Sequence, residues 1–230
     1  NDAINLSPLA AALQPKTKIG SPYVISGMQQ AAAKGYRTIC GWEANGGFLL
    51  GSDVVRNGNR LTALPTRDAL LPIVGVLCSA REQNLSLAQL FQQLPRRYSK
   101  AALLSQFPRP ISLKIMRRFS PETRDQDDIS FASGTSNSLS EADRIRCELE
   151  TFFPATQKFA PISNLNYTDG VRVRFRNNEV AHLRPSGNAD ELRFYAVADT
   201  PERAAEMVSL GVAEPDGILR RMEHVVTSED

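Results

Sequence analysis

Val171-Arg172-Val173-Arg174-Phe175 alternates apolar and cationic side chains. A period of two is the pattern of a strand with one face in a core and the other in water. Asn177-Asn178 follows as a two-residue hairpin turn, because asparagine tolerates positive φ, and residues 179–183 return as the partner strand. Residues 192–198 form a third run of the same kind. Helical patterns flank these strands. Residues 140–153 set Ile145, Leu149 and Phe152 on one face, and Thr200-Pro201-Glu202 opens a helix that ends at Gly211. The second half of the chain is therefore expected to be an α+β domain, an antiparallel sheet with helices on one face.

The first half has another rhythm. Ser21-Pro22 gives an N-cap followed by proline at the first helical position, and Gly35 stops that helix. Residues 37–42 form a short strand, a glycine-rich loop follows, and residues 48–50 form the next strand. Arg56-Asn57-Gly58-Asn59 is a turn signal. Thr66-Arg67-Asp68 caps an apolar helix over 69–81, with Pro72 near its first turn. Ser86 caps another over 87–94, stopped by Pro95. This order predicts an α/β three-layer domain, a mixed sheet between helices. Phe107-Pro108-Arg109-Pro110 places two prolines in four residues and reads as a stiff hinge. The expected domains are thus 1–107 and 108–230. Residues 120–138 are polar and read as a surface loop.

With 230 residues, 42% hydrophobic and 23% charged, the composition is that of an ordinary globular protein. A net charge of +2 gives no electrostatic case for nucleic acid or an anionic membrane. The alternating Arg172, Arg174 and Arg176 do not change that, since charge alone is not recognition. Cys40, Cys78 and Cys147 are far apart, and the histidines are His182 and His224, so neither a zinc site nor a disulfide framework is expected. Cys40 and Cys78 lie in apolar runs and are expected to pack as small hydrophobes. No apolar run approaches the ~20 residues that span a bilayer. The expected compartment is the reducing cytoplasm, with no membrane or nucleic-acid partner. The chain does not begin with Met and opens almost directly into helical pattern, as a piece of a longer protein would.

Two loops carry the chemistry. Arg184-Pro185-Ser186-Gly187-Asn188 sits between strands. Arg184 offers a planar fork of donors, Ser186 and Asn188 offer side-chain hydrogen bonds, and Gly187 lets successive N–H groups turn inward, which together suit a phosphate dianion. The plain alternative is a hairpin-edge loop with an arginine for solubility. In Gly41-Trp42-Glu43-Ala44-Asn45-Gly46-Gly47, Glu43 and Asn45 suit sugar hydroxyls; the plain alternative is a tight turn with an exposed carboxylate. Lys18, just before the first helix, makes an anion-friendly corner or is a surface lysine. His182 reads as a core or edge histidine.

Taken together, these loops resemble the C-terminal half of an α-D-phosphohexomutase, in the phosphomannomutase/phosphoglucomutase family. Glu43-Ala44-Asn45-Gly46-Gly47 is similar to the family's sugar loop, with Asn45 where serine is commoner. Arg184-Pro185-Ser186-Gly187-Asn188-Ala189-Asp190 is similar to its phosphate loop, with Asn188 for threonine and Asp190 where proline is usual. An added carboxylate near phosphate is unfavourable, so Asp190 is expected to point away. Thr17-Lys18-Ile19-Gly20 resembles the opening of the family's third domain. The wording from Trp42 to Phe48 is most similar to bacterial members serving exopolysaccharide or lipopolysaccharide synthesis.

The resemblance implies domains three and four of a four-domain enzyme that interconverts mannose 6-phosphate and mannose 1-phosphate through GDP-mannose-related metabolism. Glucose-specific or dual-specificity enzymes, and a stand-alone phosphosugar-binding module, are the alternatives. It implies substrate-phosphate contacts from Arg184, Ser186, Gly187 and Asn188, and sugar contacts from Glu43, Asn45 and Lys18. The full-length enzyme would use Mg2+ and hexose 1,6-bisphosphate. The family's phosphoserine and magnesium loops have no counterpart in these residues, so the chain would bind no cofactor, carry no catalytic residue and be inactive without the missing N-terminal domains.

Overall fold

The computed structural model of the chain describes residues 2–43, 46–122, 127–131 and 140–228. They form two compact units, residues 2–95 and 96–228, each described by itself below.

In the first unit, two short 3-10 turns, Ala3–Leu6 and Pro8–Ala12, precede α1 (Ser21–Ala33). Then come β1 (Cys40–Trp42), β2 (Phe48–Leu50), β3 (Val54–Arg56), β4 (Asn59–Leu61), α2 (Leu70–Glu82) and α3 (Leu87–Gln92). β1 pairs antiparallel with β2, and β3 with β4. The turn at Asn57 and Gly58, both at positive φ, closes the second hairpin as its sequence requires. The core is small: Met28, Ala31, Ile39 and Leu49, with Val24 and Ile25 packed against it. Gly41 makes that packing possible, because a Cβ there would lie 2.4 Å from Val24 Cγ1. Helices and short strands alternate in this unit as expected, and among the described residues the strands pair as two antiparallel hairpins. Each strand is three residues long and pairs with its antiparallel neighbour, and Leu50 at the end of β2 also bridges Leu64.

Helix starts follow the sequence with one change. Asp68 Oδ1 accepts from the N–H groups of Leu70 and Leu71, and Ser86 forms a capping box with Gln89. Ser21, however, is the first helical residue rather than the cap; Gly20, at φ 135°, precedes it and the Ser21 hydroxyl is used elsewhere. Cys40 and Cys78 are exposed, as is Cys147, contrary to the expected packing. Cys40 alternates with Gly41, which is the residue that faces α1.

The second unit begins earlier than its prolines indicate. Residues Tyr98–Ser105 form β5, which pairs along eight positions with β10 (Glu191–Ala198), so the division falls after Pro95 and not after Phe107. Phe107 is fully buried, its N–H donates to the Asp190 carbonyl, and Pro110 sits in the first turn of α4 (Arg109–Arg118) rather than in a hinge. β6 (Asp128–Ser130) lies within the stretch expected to be loop and forms a sheet edge; 123–126 and 132–139 of that stretch lie outside the described residues. α5 (Glu141–Phe152), β7 (Ile162–Asn166), β8 (Val171–Phe175), β9 (Val180–Pro185), α6 (Pro201–Val212) and α7 (Ile218–Thr227) complete the unit.

The sheet order is β5-β10-β9-β8-β7-β6, antiparallel throughout. Alternate residues, among them Leu165, Val173, Phe175, Ala181, Leu183 and Phe194, face the helices and pack on Ile115, Leu149, Met207 and Met222. Helices therefore cover one face. The residues between, including Arg172, Arg174, His182 and Arg184, line the other. Two arginines, one buried and one half-buried, tie the frame. Arg97, its side chain 2% exposed, binds Asp199 at 2.6 Å and the Asn178 carbonyl. Arg203 grips both oxygens of Glu179 and donates to the carbonyls of Gln157 and Lys158.

α6 lies close on the sheet at Gly211, where a Cβ would come within 2.8 Å of the Phe194 ring. Phe194→Ala, emptying that contact, is expected to cost about 3–5 kcal/mol. Denaturant unfolding followed in the second unit measures it; a loss under about 1 kcal/mol would contradict this packing.

Candidate functional site

β9 and β10 bracket the arginine loop. Arg184 stands directly opposite Arg193, on the face that helices leave open. Arg184 Nε forms an ion pair with Asp169 Oδ2 at 2.8 Å, and Arg193 pairs with Glu191 at 3.2 Å. Each cation thus has a carboxylate, which offsets the repulsion of like charges across a strand pair. Ser186 is 2% exposed; its N–H donates to the Glu191 carbonyl at 3.0 Å and its Oγ donates to Asn188 Oδ1 at 3.3 Å. Gly187 and Asn188 are exposed, and neither N–H donates to a backbone carbonyl among the described residues.

Gly187 is not in the left-handed region, so the turn does not require glycine. Nothing lies within 4 Å of where its Cβ would be. Its contribution is an uncovered stretch of backbone rather than a special conformation. The expected orientation of Asp190 is seen directly: Oδ1 accepts from the Arg109 N–H at 3.1 Å, at the start of α4, where a carboxylate is favoured. The loop supplies a held guanidinium, a hydroxyl and open N–H groups, which is the donor set for an oxyanion.

Two residues beside the loop were not visible as site residues in the sequence. Asp169, in the turn before β8, holds Arg184 through its carboxylate. His182 Nε2 lies 2.6 Å from the Asp169 carbonyl, and its ring is 5.6 Å from that of Tyr195. Burial, with smaller pushes from Arg172 and Arg184, lowers the His182 pKa to about 4, against an upward pull from the Asp169 carbonyl. The ring is neutral near pH 7, and because a carbonyl only accepts, Nε2 carries the hydrogen.

The glycine-rich loop is built differently from its sequence reading. Glu43 N–H donates to the Gly47 carbonyl, Gly46 N–H to the Glu43 carbonyl, and Gly46 takes φ 90°. The Glu43 carboxylate is not exposed; its side chain is 1% accessible. Arg67 Nη2 donates to Oε2 at 2.6 Å, and the Ser21 hydroxyl donates to Oε1 at 2.5 Å. Three segments meet at this carboxylate: the start of α1, the β1–β2 loop and the approach to α2. Arg67, unlike the carboxylate it holds, is 54% exposed. Lys18 is exposed, three residues before α1, and Asn45 lies outside the described residues. Arg184, Ser186, Gly187 and Asn188 share one loop of the second unit, while Glu43 and Lys18 belong to the first.

Among the described residues, no group of three or more His, Cys, Asp or Glu side chains is placed to hold a metal ion. No helix among them is long and apolar enough to cross a membrane.

The family model for phosphoglucomutase/phosphomannomutase, alpha/beta/alpha domain III, matches residues 11–98. A phosphomannomutase of Salmonella muenchen is 39% identical over 193 residues, covering 84% of this chain and 34% of that protein. A phosphomannomutase of Sinorhizobium fredii (strain NBRC 101917 / NGR234) is 31% identical over 198 residues, covering 86% and 36%. The chain spans about a third of the length of these curated relatives.

His182 also makes a pH prediction. The unfolded chain takes up its proton near pH 6.5 and the folded one only near 4, so the unfolded state binds more protons between those values. Stability therefore rises with pH from about 4 to about 6.5 and is level above that window as far as this group is concerned. His182→Gln, which keeps a donor for the Asp169 carbonyl, should flatten this part of the profile. Denaturant unfolding across the window checks it; an unchanged slope would remove His182 as the cause.

Proposed function

Because the chain belongs to the α-D-phosphohexomutase superfamily, we propose that it is the C-terminal substrate-recognition part of a bacterial phosphomannomutase. The whole protein would interconvert mannose 6-phosphate and mannose 1-phosphate by phosphoserine- and Mg2+-dependent transfer, with hexose 1,6-bisphosphate as the turning intermediate, in cytoplasmic GDP-mannose and exopolysaccharide metabolism. The nucleophile and the metal belong to parts of the protein outside these 230 residues. The described residues offer no cluster of three or more His, Cys, Asp or Glu side chains to hold Mg2+.

The observation that carries the reading is the Arg184 loop. Its guanidinium is already held at Nε, Arg193 adds positive charge directly opposite, and Ser186 fixes the turn from a buried position. In front of them Gly187 and Asn188 present uncovered backbone. In this proposal Arg184, Ser186, Gly187 and Asn188 hold the phosphate that does not react. A hexose phosphate carries such a dianion and a ring of hydroxyls, and Glu43 with Asn45 and Lys18 would meet the ring, Arg67 giving way to it. Phosphoryl transfer gains from such fixed positioning, since a held substrate reacts as a unimolecular partner.

The test is calorimetric titration of the chain with mannose 1-phosphate and glucose 1-phosphate. Mannose 1-phosphate is expected to bind the more tightly, and equal affinities would move the reading to a dual-specificity enzyme. Arg184→Ala should weaken binding by about 2–4 kcal/mol, the scale for losing a charged hydrogen-bonding partner; unchanged affinity would overturn the phosphate assignment. Glu43→Ala should erase the difference between the two sugars while leaving inorganic phosphate binding intact. The 230-residue chain should show no mutase turnover, and any turnover of its own would place the chemistry inside it.

A further inference from the structure

We propose that Asp169 is the positioning residue of the anion site, holding the Arg184 guanidinium in its binding orientation. The inference rests on the phosphate reading of the Arg184 loop and goes beyond it, because Asp169 is neither in the loop nor a candidate ligand.

Three contacts fasten the Asp169-Gly170 turn to β9. The Asp169 carboxylate takes Arg184 Nε at 2.8 Å. The Asp169 carbonyl takes His182 Nε2 at 2.6 Å. Gly170, at φ 84°, lies so close to β9 that a Cβ would come within 2.3 Å of the Leu183 carbonyl oxygen and 3.3 Å of the Arg184 α-carbon. These contacts fall on three consecutive residues, His182, Leu183 and Arg184, that lead into the loop. The turn is thus anchored at its backbone, and only its carboxylate reaches out.

Arginine is long and flexible, and an unrestrained guanidinium must be ordered when an anion arrives. Here it is ordered beforehand. Its neighbour makes this more than convenience. Arg193 stands directly opposite on β10, and like charges across a strand pair repel. Without Asp169, Arg184 would turn away from Arg193, and the two would no longer converge on one anion. The contact engages Nε, one corner of a five-donor fork, and both partners are only partly exposed, at 19% and 23%, so solvent screens the pair weakly.

The experiment titrates the full 230-residue chain with inorganic phosphate and with mannose 1-phosphate. The variants are Asp169→Ala, Asp169→Asn, Arg184→Ala and the Asp169→Ala/Arg184→Ala double change. Asp169→Ala is expected to weaken both ligands about tenfold, the scale of losing one partly buried charge partner. Asp169→Asn keeps an oxygen for Nε and should recover part of that loss; being isosteric, it also serves if the alanine variant does not fold. The double variant should bind no worse than Arg184→Ala alone, because Asp169 acts only through that side chain. The NMR signal of the Arg184 Nε–H should shift in Asp169→Ala relative to the wild type, as loss of the ion pair requires. If Arg184→Ala loses binding but Asp169→Ala binds as well as or better than the wild type, the positioning role is wrong and the phosphate reading stands. If Arg184→Ala itself binds like the wild type, the phosphate reading falls and this inference with it.

Discussion

Helices cover a single face of the six-stranded sheet, and the chemistry of the second unit follows from that. Strand side chains alternate, so every apolar residue given to the helices leaves its neighbour on the open side. β8 gives Val171, Val173 and Phe175 to the core and leaves Arg172 and Arg174 outside. β9 gives Ala181 and Leu183 and leaves His182 and Arg184. The pairing then sets Arg184 opposite Arg193 and His182 between Arg172 and Tyr195. A register shift of one residue would send the arginines into the core, a cost that fixes the register firmly. The proposed anion site is in this sense the outer print of the hydrophobic core.

The first unit stands on a weaker footing. A core cluster of four buried apolar residues, with Leu50 and Ala80 also buried, holds it, whereas Leu70, Ile73, Val74 and Leu77 of α2 are exposed. Its polar centre at Glu43 joins segments far apart in sequence, and a buried carboxylate of this kind is tolerable because Arg67 and Ser21 complete it. The residue proposed to read the sugar therefore also fastens three loops together, and its two duties share the same oxygens.

How far the sequence could be read depended on how local each signal was. β8, β9, β10, α5 and α6 carried period, turn and cap within a few residues of one another, and the structure has them in place. β5 lacked such a signal. It is a sheet-edge strand, mostly exposed, so its apolar residues do not alternate with polar ones. The Phe107–Pro110 stretch misled because proline both stiffens linkers and opens helices, and only the burial of Phe107 decides between them. In the candidate site, Arg184, Ser186 and Gly187 could be singled out because they are adjacent. Asp169 was not, because a hairpin separates it from its partner. Arg67 is 24 positions from Glu43, and nothing in either residue's surroundings announces the pair.

The two ends of the Arg184 loop are fastened by different means. On one side Ser186 N–H is bound to the Glu191 carbonyl. On the other, Asp190 holds Phe107 through its carbonyl and the first turn of α4 through its carboxylate. The tip between them, Gly187 to Ala189, is held among the described residues only by the Glu191 N–H on the Ala189 carbonyl and by the Ser186 hydroxyl on Asn188 Oδ1. Whatever the loop embraces, the disorder surrendered is that of a few peptide units, so affinity there is governed by contact chemistry more than by the entropy of arranging a flexible chain.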